Sequence, residues 1–159
     1  MSGSVLRFER EYALPREIVW DALVDSDLLS GWLAEADVEP RIGGRFDLRW
    51  SHFTPEVRTD GEIVELFDLT QLVVDTSNFG KTAFTLRSLT GGPRGSSTLL
   101  VVDVHAIADP HFTSMIEATW RISLEQLERL LHGHPVDWAN WARDSGAEWR
   151  SLVSEAQEH

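Results

Sequence analysis

Between Val5 and Leu14 the side chains alternate. Leu6, Phe8, Tyr12 and Leu14 fall on one side and Arg7, Glu9 and Glu11 on the other, the period of a half-buried strand. Arg10 breaks the pattern by falling on the side of Phe8 and Tyr12. Pro15 stops the strand and suits the first turn of a helix, in which Ile18, Val19, Ala22 and Leu23 recur at helical spacing beside Trp20. Asp25 and Ser26 interrupt that run, and Ser26 or Asp27 is expected to cap a second short helix through Leu28, Leu29 and Trp32. After Pro40 and a Gly43-Gly44 turn, Phe46, Leu48 and Trp50 alternate with Arg45, Asp47 and Arg49 as another one-sided strand. Residues 51–60 read as a polar loop. Four β-rich runs follow, at 61–66, 71–76, 82–89 and 97–107, with Asn78, Gly80 and the 90–95 cluster as hairpin turns. Strands joined by such short turns form an antiparallel sheet, whose apolar face needs a cover.

The cover comes next. Ile116, Trp120, Leu124, Leu127 and Leu131 recur at intervals of four, four, three and four, which predicts a long amphipathic helix from Thr113 to His132, ended by Gly133 and Pro135. Beyond it Trp138, Trp141, Trp149 and Leu152 form a helical stripe, and Ser145 with Glu148 fits a capping box, so one or two short helices are expected. No repeat or linker divides the chain.

Composition narrows the class. A chain of 159 residues holds one core, and seven Trp with seven Phe supply apolar area for it. The formal charge of −12 repels phosphate backbones, so nucleic acid is not an expected partner. With no cysteine, disulfides, thiolate metal sites and cysteine nucleophiles are excluded. No run approaches a membrane span, and a cytoplasmic protein is expected.

The order of elements, together with particular residues, resembles the START-like (SRPBCC) superfamily. Pro15, Ile18, Val19, Trp20, Leu23, Asp25, Leu28 and Trp32 resemble its helical signature, Gly43-Gly44-Arg45-Phe46 its G-G-x-F turn, and Gly61 to Glu65 its G-x-V-x-E strand. Trp120 with Leu124 and Leu127 resembles the pattern of its closing helix. The branch it looks most like is named after the activator of a heat-shock chaperone's ATPase (AHSA-type), over Leu6 to His132. The resemblance implies an α+β helix-grip fold, a curved antiparallel sheet of about six to seven strands wrapped around a long C-terminal helix. It also implies a cavity between sheet and helix that, across the superfamily, holds lipids, sterols, hormones or polyketides. The expected organisation is a helix-grip domain over 1–133 and a Trp-rich helical extension over 134–159 packed on it.

Candidate chemistry lies at a few positions. Asp103 and His105 share one face of the last strand with Leu99 and Val101, where a carboxylate could charge an imidazole into a general base; the alternative is a structural histidine. Leu100, Val102 and Val104 occupy the other face, and either face can be the interior. Arg10 is placed either to clamp a ligand carboxylate or to form an internal ion pair with Glu65, which shares a face with Ile63. Trp32, Phe46, Trp50, Phe84 and Trp120 are candidates for pocket lining or plain core, with Trp50, His52 and Phe53 at a mouth. His132, His134 and Asp137, with His111, have a spacing open to a divalent metal but read as a solvated helix end, so no metal or cofactor is expected. Trp138, Trp141 and Trp149 either dock a protein partner or a second copy, or fold back on the sheet. The reading that joins these features is a protein that binds a small apolar or amphipathic, lipid- or polyketide-like molecule. The alternatives are an aromatase/cyclase-like enzyme using the same cavity, with Asp103, His105 or Arg10 moving protons, and a co-chaperone-like interaction module.

Overall fold

The computed structural model describes residues 5–53, 56–77, 80–90, 96–105 and 110–157. β1 (Val5–Tyr12) leads into α1 (Arg16–Val24) and the one-turn α2 (Ser26–Leu29). The cap of α2 is Asp25, one residue earlier than expected, because its carboxylate reaches the free backbone N–H groups of Asp27 (2.9 Å) and Leu28 (3.2 Å). Ser26 serves the neighbouring strand instead, its hydroxyl accepting the backbone N–H of Val38 at 2.9 Å.

Two sheets follow. β2 (Glu35–Val38), β3 (Phe46–Trp50) and β4 (Val57–Thr59) form a three-stranded antiparallel sheet in the order β2-β3-β4. β2 and β4 were not expected from the pattern. They have four and three residues, too few to display a period, and β4 lies inside the stretch read as a polar loop. β5 (Gly61–Phe67), β6 (Gln71–Thr76), β7 (Gly80–Thr90) and β8 (Ser96–His105) join β1 in a five-stranded antiparallel sheet ordered β1-β8-β7-β6-β5. That makes eight strands among the described residues, against the six to seven anticipated. The expected turns at 78–79 and 91–95, and the strand end at 106–107, lie outside the described residues.

α3 (Pro110–Leu131) lies on the five-stranded sheet. The inner sheet face carries Phe8, Tyr12, Phe84, Leu86, Leu100, Val102 and Val104, all buried, and α3 sets Ile116, Trp120, Leu124 and Leu127 into the same core. Tyr12 at the end of β1 donates its hydroxyl to the Leu124 carbonyl at 3.0 Å, tying strand to helix across the core. Gly133, at φ 89°, ends α3 in a left-handed turn in which its own N–H donates to the Leu130 carbonyl and that of His134 to the Arg129 carbonyl.

The tail is one 3-10 turn (Trp138–Asn140) and α4 (Trp141–Gln157), a 17-residue helix in place of the short ones expected. Ser145 is buried inside α4 and caps nothing; the helix already begins at Trp141. α4 packs on α3, whose second flank, Ala118, Ile122 and Gln126, is fully buried as well. α3 is therefore enclosed between sheet and α4.

Candidate functional site

β8 settles which strand face is interior. Leu100, Val102 and Val104 are fully buried in the core that α3 helps to close, so Asp103 and His105 stand on the outer face of the sheet. There Asp103 is held by Arg7 of β1, directly opposite in register, through Nε–Oδ1 at 2.7 Å and a second guanidinium bond at 3.1 Å. His105 is exposed. This corrects the general-base reading, because a carboxylate and imidazole on the solvent side of the sheet cannot serve a molecule held between sheet and helix. Asp103→Asn is accordingly expected to leave the urea unfolding midpoint nearly unchanged, as loss of an exposed ion pair does, and His105→Ala is expected to leave any ligand binding unchanged in titration.

Arg10 and Glu65 do not meet. They lie on β1 and β5, at opposite edges of the five-stranded sheet. A β-bulge between Ile63 and Glu65 also flips the alternation, leaving Ile63 buried and Glu65 exposed, so the two do not share a face as expected. The half-buried Arg10 donates to the Glu9 carbonyl at 2.8 Å and sits near the Glu125 carboxylate of α3, whose charged form it favours. Glu125 itself is held above the usual carboxylate range, first by burial and then by its hydrogen bond to Glu148 of α4.

The aromatic candidates do converge. Phe46 of β3 and Phe84 of β7 have ring centroids 6.5 Å apart, and Phe84 lies 5.7 Å from Trp120 of α3, so three elements meet in one tilted stack. Trp32 is fully buried and donates its indole N–H to the Ala22 carbonyl at 2.8 Å, which pins the α2 end to α1. Trp50 is buried and donates to the Thr59 hydroxyl at 2.9 Å. The buried polar side chains described are Ser, Thr and Gln, to which Tyr12 adds its hydroxyl, and none of them carries a charge at neutral pH.

The loop after β3, proposed as a mouth, is covered by the tail. His52 stacks on Trp138 at 4.3 Å, meets the edge of Trp141 at 4.6 Å and touches Phe53 at 4.4 Å. Phe53 in turn lies 5.3 Å from Trp149. Each indole also has a bond partner within the chain: Trp138 donates to the Ser30 carbonyl, Trp141 to Gln126 Oε1 and Trp149 to the Thr119 hydroxyl. His52 Nδ1 is buried without a hydrogen-bond partner, and burial lowers the imidazole pKa from 6.5 to about 4 against a weaker opposing pull from Glu35.

An open groove of about 480 Å³ runs over the three-stranded sheet beside Trp138, lined in part by Glu35, Asp37, Asp47 and Arg49. Several of its charges are met locally: Arg49 pairs with Glu35 and with Glu56 at 3.2 Å, and Asp37 with Arg45 at 3.0 Å. At the far end of α3, His132 Nδ1 lies 2.8 Å from the Glu128 carbonyl, Asp137 accepts from Asn140, and His134 is exposed. No three His, Asp or Glu side chains among the described residues are placed to hold a metal ion. The side chain of His111 lies outside those described.

An antiparallel sheet covered by a long helix, with two short helices after the first strand, is the arrangement of a helix-grip fold. The family model "Activator of Hsp90 ATPase homolog 1-like protein" matches residues 13–132, and the chain belongs to that family. The crystal structure of CalU16 from Micromonospora echinospora is 21% identical, with 94% of this chain and 88% of that one covered at a TM-score of 0.63. NE0264 from Nitrosomonas europaea is 20% identical, with 81% of this chain and 94% of that chain covered at a TM-score of 0.65. DynU16, a protein in the dynemicin biosynthetic locus, is 21% identical over 82% of this chain and 48% of its own, with a TM-score of 0.65. These likenesses are of fold. No curated protein matches the chain in sequence. No helix among the described residues is long and apolar enough to cross a membrane.

Proposed function

We propose that this protein binds a small apolar or amphipathic molecule between the five-stranded sheet and α3. The observation that carries the reading is the character of that interior. Phe46, Phe84 and Trp120 present large apolar faces from three different elements, and the buried polar side chains described around the core carry no charge. Family membership and the presence of one structural neighbour in a biosynthetic locus support a small-molecule ligand. The enzyme alternative is weakened, since Asp103 and His105 point away from this interior. The docking role of the tryptophan tail is weakened too, since its three indoles are engaged within the chain.

Native mass spectrometry of the purified full chain, followed by denaturing extraction, tests the reading. A stoichiometric hydrophobic adduct released on denaturation is the expected result. Bare protein that also fails to take up a neutral dye such as Nile red would overturn it.

A further inference from the structure

Thr82 stands on the inner face of β7, with Val74 of β6 and Val104 of β8 opposite it in register. It shares that face with Phe84, which meets Trp120 of α3. The side chain is fully buried, and its Oγ1 has no hydrogen-bond partner. Other buried threonines of the fold are satisfied: Thr76 donates to the Gly80 carbonyl and Thr98 to the Leu14 carbonyl, each at 2.7 Å, and Thr59 accepts from Trp50 at 2.9 Å. A buried hydroxyl with nothing to bond is costly, and valine would fill the same space without that cost.

We propose that Thr82 is the polar recognition point for the bound molecule, an inference that rests on the binding reading above. It narrows the ligand to an uncharged ring or chain bearing a carbonyl or hydroxyl oxygen. A carbonyl would accept from the Thr82 hydroxyl; a ligand hydroxyl would donate to it. The molecule is uncharged because the buried polar residues described offer no counter-charge to a carboxylate or an ammonium. Arg10, the side chain suited to a carboxylate, turns instead to the Glu9 carbonyl on β1 at the sheet edge.

The test is titration of the intrinsic tryptophan fluorescence of the full chain with 1-tetralone, tetralin and 1-naphthoate, for wild type, Thr82→Val and Thr82→Ser. Wild type is expected to bind tetralone about tenfold more tightly than tetralin, the factor given by one ordinary hydrogen bond, and to bind naphthoate more weakly than either. Thr82→Val should bind the ketone and the hydrocarbon equally, and Thr82→Ser should keep the preference. Without ligand, Thr82→Val should also melt about 2–4 °C higher than wild type. Equal binding of ketone and hydrocarbon by wild type would overturn the role of Thr82 while leaving the binding reading intact. A Thr82→Val protein that fails to fold would also overturn it, by showing that the hydroxyl serves the protein itself. If none of the three probes binds wild type, the binding reading falls and takes this inference with it.

Discussion

Trp141→Ala is expected to lower the free energy of unfolding by about 4 kcal/mol, within the range for deleting a buried tryptophan, as read from urea denaturation. Trp141 is the first residue of α4, is almost wholly buried, and donates its indole N–H to Gln126 Oε1 at 2.9 Å. Gln126, buried on α3, passes the connection on by donating to the Trp32 carbonyl at 2.8 Å, and Trp32 donates to Ala22 of α1. The alanine variant thus leaves a cavity and also strands a buried carbonyl oxygen, in a domain whose whole stability is of the order of 5–15 kcal/mol. Trp141→Phe should cost about 1–2 kcal/mol, the cost of an unpaired buried acceptor with most of the ring volume retained. A loss below about 1 kcal/mol for the alanine variant would mean that α4 is not an integral part of the fold and would return the tail to the role of a docking segment.

Stability is expected to fall by about 2 kcal/mol as the pH drops from 6.5 to 4, and His52→Phe should abolish most of that fall. The folded imidazole has its pKa lowered from 6.5 to about 4 because it is buried among Trp138, Trp141 and Phe53. A group lowered on folding is neutral in both states above pH 6.5, so its contribution is intact there. Between 6.5 and 4 the unfolded chain binds a proton that the folded one refuses, and stability drains away. The full difference corresponds to roughly 3 kcal/mol at 1.36 kcal/mol per pH unit, reduced to about 2 because the ring keeps some contact with water. The Glu125 carboxyl, raised on folding by burial and by Glu148, works in the opposite direction at lower pH, and Glu35 and Glu39, lowered by hydrogen bonds from Arg49 and from the Arg45 backbone, work in the same direction, so the contribution of His52 and of its pull on Glu35 is read from the difference between wild type and variant. A pH profile unchanged in His52→Phe would show that the imidazole is charged inside the aromatic cluster.

Much of this architecture was legible from spacing. The stripe from Ile116 through Leu127 is the face of α3 that lies on the sheet, and the alternation along β1, β3 and β8 marked true strands. The second stripe on α3 was missed because Ala118 and Gln126 are not residues that announce burial. The clue was available in the tail, since tryptophans at helical spacing require a second apolar face somewhere in the chain. The candidate chemistry was harder to read. Alternation divides β8 into two faces without saying which is inside, although Asp103 and His105 among otherwise apolar neighbours favour the outer one. A single extra residue at the bulge after Ile63 was enough to turn Glu65 to solvent. The unpaired hydroxyl of Thr82 and the isolated nitrogen of His52 are relations between distant segments, and no local pattern encodes them.

The pairing of β1 with β8 sets a kinetic condition. Arg7 and Asp103, facing each other in that ladder, are 96 residues apart in the chain, and β1 lies at the sheet edge with β8 as its one neighbouring strand. The hairpins β5-β6 and β7-β8 can form from nearby residues, whereas β1 must wait for the last strand before it has an edge to join. The entropy of closing so long a loop falls on that one step, which places this chain among folders limited by non-local contacts. During synthesis, β1 would leave the ribosome with Phe8 and Tyr12 uncovered until both β8 and α3 had followed.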